Sequence, residues 1–347
     1  RRPLGVVGCI LPWNFPLHTL FQKIAPAIYA GNSVVVKPSE FTPLSTLRAM
    51  ELVKDAIPPG LIQTVAGGSE LGREMCAHPS IRGVSFTGST RTGASVARNA
   101  MRSMKRVALE LGGNDAAIVL PDANAVEVAR GLAKAAFANG GQVCHALKRL
   151  YVHEWIHDEM CVALAEECKR LKANVDYGPL TTRAQLEYVR ELVEDAVAKG
   201  GTVVCGGNDC DALGRGSGFY YAPTLVTNVQ EHVHRIVNEE QFGPILPILK
   251  FSDPYDALSS VNSSEMGLTG SVWTKDEELG YRLASGLESG TAFVNHMSSS
   301  HGTTSSVDWP SQGWKMSGMG SNRGLLGLLQ YTQPQTVNQR FLQKIHT

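Results

Sequence analysis

The stretch Gly5-Val6-Val7-Gly8-Cys9-Ile10-Leu11, stopped by Pro12, decides the fold class. An unbroken apolar run of this length, with no polar alternation, is a strand covered on both faces, as in a parallel sheet. Helical spacing follows at once from Leu17 to Ala30 and ends at Gly31-Asn32, a common C-cap pair. The alternation then repeats. Ser33–Lys37 reads as strand, 44–56 as helix, 62–65 as strand, 69–78 as helix, 83–87 as strand, 89–101 as helix and Arg106–Glu110 as strand. Strands separated by helices of this size imply a doubly wound parallel α/β sheet.

A second α/β series begins near Asp115. It comprises strand 115–119, helix 125–138, strand 149–152, helices 156–171 and 183–199, and strands at 245–251, 270–273 and 291–295. Two sheets suit 347 residues, more than one hydrophobic core usually serves. Residues 297–308, rich in Ser, Thr and Gly, read as a mobile surface loop. The run 335–341 reads as an extended strand without a partner in its own domain, an edge suited to joining another copy's sheet.

Composition removes several function classes. With 43% apolar and 18% charged residues the chain is an ordinary globular protein, not a disordered one. Thirty-two basic residues balance thirty-two acidic ones and no basic run stands out, so nucleic acid and anionic membrane surfaces are poor partners. No apolar stretch reaches the length of a membrane span. Seven cysteines, odd in number and unpaired in spacing, argue for a reducing compartment and against a disulfide framework. Cys205-Gly-Gly-Asn-Asp-Cys210 reads as a turn, since no second ligand pair accompanies it. His153-Glu154-Trp155-Ile156-His157 matches the spacing of a zinc-peptidase helix, but His153 follows a strand and the helix starts only near Ile156. No metal is therefore expected.

Chemistry concentrates in two places. Asn139-Gly140-Gly141-Gln142-Val143-Cys144 puts a soft nucleophile behind two glycines, where backbone and ligand approach closely. Thirty-four positions upstream, Glu110 leaves a strand into Leu111-Gly112-Gly113 and offers a general base. From residue types alone, Cys144 is more often a small buried hydrophobe than a nucleophile, and Glu110 more often a solvated strand-end carboxylate than a base.

Six motifs in one order raise the functional reading. They are Pro12-Trp13-Asn14-Phe15-Pro16, Lys37-Pro38-Ser39-Glu40, Phe86-Thr87-Gly88-Ser89-Thr90, Glu110-Leu111-Gly112-Gly113, Gly141-Gln142-Val143-Cys144 and Glu239-Glu240-Gln241-Phe242-Gly243-Pro244. Together they resemble the NAD(P)-dependent aldehyde dehydrogenase superfamily over essentially the whole chain. The resemblance implies a dinucleotide-binding domain over 1–112 with part of about 312–333. It further implies a catalytic domain over 113–311 and an oligomerisation segment over 334–347. By the same resemblance Cys144 is the nucleophile, Glu110 the base that activates the deacylating water, and Asn14 an oxyanion donor beside the Cys144 backbone N–H. Pro12, Trp13, Lys37, Ser39, Glu40, Gly88, Ser89, Leu111, Glu240 and Phe242 are then cofactor contacts, with Lys37 and Glu40 on the adenosine ribose and Glu240 and Phe242 on the nicotinamide end.

A carboxylate at Glu40 would repel a 2′-phosphate, so NAD is expected rather than NADP. No G-x-G-x-x-G fingerprint follows a strand, and the family holds its phosphates differently. The expected activity is oxidation of an aldehyde to an acid through a Cys144 thioester opened by water, in a cytoplasmic homodimer or homotetramer. An organellar address stays open because the chain opens on Arg1-Arg2-Pro3 without an initiator Met, as a sequence starting partway into a longer protein would.

Three alternatives stand beside it: an inactive scaffold that binds NAD, a coenzyme-A-acylating enzyme, and the zinc peptidase. Two stretches depart from the family pattern, 311–315 (Ser-Gln-Gly-Trp-Lys) and 321–324 (Ser-Asn-Arg-Gly), and the connection at 172–177 is short. The identity of the aldehyde is not legible in any motif.

Overall fold

The computed structural model describes residues 1–210, 218–297 and 309–340. The first sheet is built from strands β1 (Val6–Ile10), β2 (Ser33–Lys37), β3 (Ile62–Thr64), β4 (Ile81–Thr87) and β5 (Arg106–Glu110). Helices α1 (Pro16–Tyr29), α2 (Leu44–Val53), α3 (Ser69–Ala77) and α4 (Thr90–Met101) connect them. The parallel order is β5-β4-β1-β2-β3, and the short segment Gly318–Met319 adds antiparallel to β5. Val7, Cys9, Val34, Val36, Val84 and Phe86 are buried, which is why these strands read as continuous apolar runs. The chain order reverses between β1 and β4, and in open α/β sheets the crevice beyond such a reversal is where ligands bind.

The second sheet has seven strands. They are β6 (Ala116–Val119), β7 (Arg149–His153), β8 (Thr202–Cys205), β9 (Thr224–Thr227), β10 (Ile245–Phe251), β11 (Thr269–Trp273) and β12 (Thr291–Val294). Their order is β12-β11-β6-β7-β10-β9-β8, parallel except for the last pair. Helices α5 (Ala125–Phe137) and α6 (His157–Arg170) pack with one apolar cluster of this sheet, and α7 (Arg183–Ala198) with the other. The C-terminal ends of the first sheet and the N-terminal ends of β6, β7 and β10 supply the loops that meet at one cleft.

Some expectations are corrected. The helix read over 44–56 stops at Val53 and tightens into a 3₁₀ turn over Lys54–Ala56. Met297, taken as the start of a surface loop, is fully buried in the apolar cluster shared with α5 and α6. The rest of that loop, 298–308, lies outside the described residues. Gln335–Arg340 is exposed and forms no strand, while Phe341 lies outside the described residues. The chain end is tied back instead by Thr332–Gln333, which pairs antiparallel with Arg2–Pro3.

Strands β8 and β9 and helices over Pro254–Asn262 and Glu277–Ser285 are additions that periodicity did not reveal. His153 closes β7 and bonds the Ser252 carbonyl, whereas His157 opens α6 and bonds Asp158 and Thr227. The two imidazoles thus sit on different elements and have different partners.

Candidate active site

Cys144 stands on a turn the chain can make only with unusual backbone. Asn139, Gly140 and Gly141 all take left-handed φ values of 52°, 64° and 73°. A side chain at Gly141 would run into the Gly243 carbonyl, so the turn is pressed against the loop carrying Glu240 and Phe242. Gln142 fastens it: its side chain donates to the carbonyls of Asn139 (3.0 Å) and Pro179 (3.1 Å) and accepts from the Thr181 amide (2.9 Å). The Asn14 Nδ2 donates to the Gln142 carbonyl at 3.0 Å, which brings β1's following loop to within two residues of the nucleophile. One N–H of that amide remains for another acceptor.

Glu110, the last residue of β5, accepts from Ser311 Oγ at 3.3 Å. Ser311 in turn exchanges backbone hydrogen bonds with Asn322, and Leu111 N donates to the Ser317 carbonyl. The two departures from the family pattern therefore lie directly behind Glu110. Gly113 is required where it is, because a Cβ there would come 2.9 Å from the Cys144 carbonyl oxygen. Its amide donates to Glu240 Oε1 at 3.1 Å. The 239–243 loop is held from α7, where Tyr188 Oη donates to Glu239 (2.9 Å) and Gln185 Nε2 to the carbonyls of Gln241 and Phe242. Phe242, at a φ of 49°, meets Trp13 edge-on with centroids 5.6 Å apart.

Burial pushes the Cys144 thiol up to about 12; Lys148 pulls it down, and Glu110, Asp115 and Glu240 push it further up. Asp115 is raised to about 6 by burial, against the pull of Lys148 and the Thr269 hydroxyl. His145, whose Nδ1 lies 3.4 Å from Cys144 Sγ, is lowered to about 4 by burial and by the nearby Lys148, Arg323 and His18. Its imidazole is therefore neutral at physiological pH.

The cleft measures about 720 Å³ and runs from Cys144 to the end of β2. Pro12, Trp13, Asn14, Lys37, Ser39, Glu40, Gly88, Ser89, Leu111, Glu240 and Phe242 all line it, so every cofactor contact expected from the motifs faces one space. Glu110 does not line that space; its carboxylate is held by the Ser311 hydroxyl.

The cleft fits a dinucleotide on its own terms. It opens at the sheet's reversal, α4 starts there with Ser89 as its N-cap, and Lys37 and Glu40 stand at the far end. Lysine 148 and histidine 145 were missed by motif reading. The signal for Lys148 is a pair of adjacent cations, Lys148 and Arg149, inside the buried stretch 146–152.

Comparison with known proteins agrees with this geometry. The model of the aldehyde dehydrogenase family matches residues 1–337. A putative aldehyde dehydrogenase, FUS7, of Gibberella fujikuroi is 39% identical over 343 residues, covering 97% of this chain and 70% of that protein. The phenylacetaldehyde dehydrogenase of Pseudomonas fluorescens is 38% identical, covering 97% of this chain and 67% of that protein. The crystal structure of lactaldehyde dehydrogenase from Escherichia coli superposes with a TM-score of 0.91 at 35% identity, over 97% of this chain and 70% of that one. Sequence motifs, doubly wound architecture and relatives converge: the chain belongs to the aldehyde dehydrogenase family of oxidoreductases.

Proposed function

We propose that the chain oxidises an aldehyde to a carboxylic acid with NAD as oxidant, using Cys144, Asn14 and Glu110. Aldehyde oxidation follows from family membership; the roles of the residues are our reading. The observation that carries it is the cleft itself, which is lined by Cys144 and Asn14 and also by Lys37 and Glu40, with Asn14 bonded to the Gln142 carbonyl two residues before the nucleophile.

Cys144 gives its thiol proton to solvent water, and its sulfur adds to the carbonyl carbon, forming a C–S bond while the π pair moves to oxygen. That oxygen is met by the free N–H of the Asn14 amide and the Cys144 backbone N–H, donors fixed before charge develops. NAD, when bound, would supply the two-electron acceptor for the hydride on that carbon, whose loss would leave a thioester on Cys144. Glu110 then deprotonates water, whose oxygen attacks the thioester, and the C–S bond breaks to return the Cys144 thiolate and free acid. Lys37 and Glu40 would hold the adenosine ribose, Gly88 and Ser89 the pyrophosphate, and Glu240 and Phe242 the nicotinamide end. The carboxylate of Glu40 favours NAD over NADP.

We also read 1–112 with about 312–333 as the cofactor domain and 113–311 as the catalytic domain. The segment 334–347 is read as an oligomerisation arm of a homodimer or homotetramer. Among the described residues no helix is long and apolar enough to cross a membrane. The scattered cysteines support a reducing, cytoplasmic setting.

The test is NADH release across aliphatic, aromatic and charged aldehydes, with product analysis, on the wild type and Cys144→Ala. The expected outcome is free acid from the wild type, and a loss of at least about a thousandfold in the variant with NAD binding preserved. Turnover retained in Cys144→Ala would end this reading.

A further inference from the structure

We propose that Lys148 is a positioning residue whose buried ammonium ties the Cys144 backbone to the Glu240 carboxylate, setting the nucleophile and the nicotinamide end of the cofactor site as one unit. This rests on the reading of Cys144 and Glu240 given above. The Lys148 side chain is 3% exposed; Nζ donates to the Cys144 carbonyl oxygen and stands 3.4 Å from Glu240 Oε1. That same Oε1 accepts from Gly113 N, so one carboxylate oxygen is shared between the Glu-Leu-Gly-Gly turn and the lysine. Lysine's main chain is fixed on both sides. Its amide donates to the Asp115 carbonyl (2.9 Å) and its carbonyl accepts from Gln241 Nε2 (3.0 Å). The head group thus has little freedom to do anything but bridge. An ammonium has three donors around a compact charge, which suits holding a carbonyl and a carboxylate together.

The arrangement answers an electrostatic problem. Three carboxylates, Glu110 and Asp115 at the two ends of one connection and Glu240 on a distant loop, act on the Cys144 sulfur, and each opposes a thiolate. His145, in contact with the sulfur, is neutral, with His18 and Arg323 beyond it. Lys148 is the cation that acts on the thiol from close range, and it does so from the position that also anchors Glu240. A single substitution should therefore disturb two properties that are otherwise separable: the ionisation of Cys144 and the hold on NAD.

The experiment follows Cys144 alkylation by iodoacetamide against pH, and equilibrium NAD binding, in wild type, Lys148→Met and Lys148→Arg. In Lys148→Met the alkylation midpoint should move up by about one pH unit, which is about tenfold slower reaction at a fixed pH below it. NAD binding should weaken about tenfold in the same protein. Lys148→Arg, which keeps the charge, should return the midpoint toward wild type. If Lys148→Met does not fold, Glu240→Gln reads the same cluster with opposite sign: a lysine relieved of its carboxylate should draw the midpoint down.

A wild-type alkylation profile with wild-type NAD binding in Lys148→Met overturns the proposal, as does an unmoved or raised midpoint in Glu240→Gln. A wild type that releases no NADH from any aldehyde defeats the dehydrogenase reading instead. Wild-type turnover with an unmoved Lys148→Met profile defeats only the role of Lys148.

Discussion

The two rims of the cleft are built differently. On the first sheet, Lys37 and Thr87 are the last residues of β2 and β4, and Glu110, just outside the cleft, is the last of β5, so their places follow from where regular strands stop. On the second sheet, Cys144, Lys148 and Glu240 sit on loops that precede strands, and they are held by left-handed backbone and by contacts between segments far apart in the chain. A rim made of strand ends tolerates change in its side chains, because the backbone is fixed by the sheet ladder. A rim made of interlocked loops transmits change, because each residue is part of another's support.

This contrast can be broken most sharply at Asn14, where the rims touch. Asn14→Ala removes both the proposed oxyanion donor and the bond to the Gln142 carbonyl. Its kcat should fall roughly a hundredfold or more, as expected when one acyl-transfer donor is lost. Steady-state NADH release measures it, and a variant within a factor of three of wild type would place the oxyanion elsewhere. At Glu40, on the strand-end rim, the effect should be smaller and confined to cofactor choice. Glu40→Gln should lower the preference for NAD over NADP by about tenfold with kcat for NAD nearly unchanged. A large loss of kcat there would show that the first rim also transmits.

The smallest effect is in stability. Burial and neighbouring cations hold folded His145 near 4, against an ordinary value of 6.5, so only the unfolded chain binds that proton between those limits. Stability from this group is present above about 6.5 and is lost as pH falls toward 4. Asp115, raised to about 6, works in the opposite sense over an overlapping range, its contribution falling as pH rises from its ordinary 3.8. His145→Asn should remove the first slope and leave the second. Urea unfolding at pH 5 and pH 7.5 compares them, and an unchanged difference between the two pH values would contradict the assignment to His145.

The same contrast explains what the sequence made legible. The strands and helices of the first sheet fall within one to three residues of where apolar runs and cap residues put them, because each is a local pattern with a local stop. The helix over Pro254–Asn262 also had local signals, Asp253 as N-cap and Pro254 in the first turn, which were passed over. Strands β8 and β9 had none: four residues each, without alternation, recognisable only once paired.

The motifs at 12–16, 37–40 and 86–90 lie along one cleft because they follow the ends of neighbouring strands, whereas 239–244 reaches it from the loop that precedes β10. The Lys148–Glu240 pair spans 92 positions and has no signature beyond adjacent cations, Lys148 and Arg149, before an apolar strand, so folding had to bring it into view. His153 and His157 show the reverse: a strong local pattern that the strand-to-helix boundary dismantles.

The central claim is that Cys144 carries the acyl group and Glu110 activates the water that removes it. Intact-mass analysis of Glu110→Gln mixed with NAD and a turned-over aldehyde tests this most directly. The account predicts a burst of NADH and an acyl adduct that peptide mapping places on Cys144. Normal steady-state turnover by Glu110→Gln, or an adduct on a different residue, would contradict it.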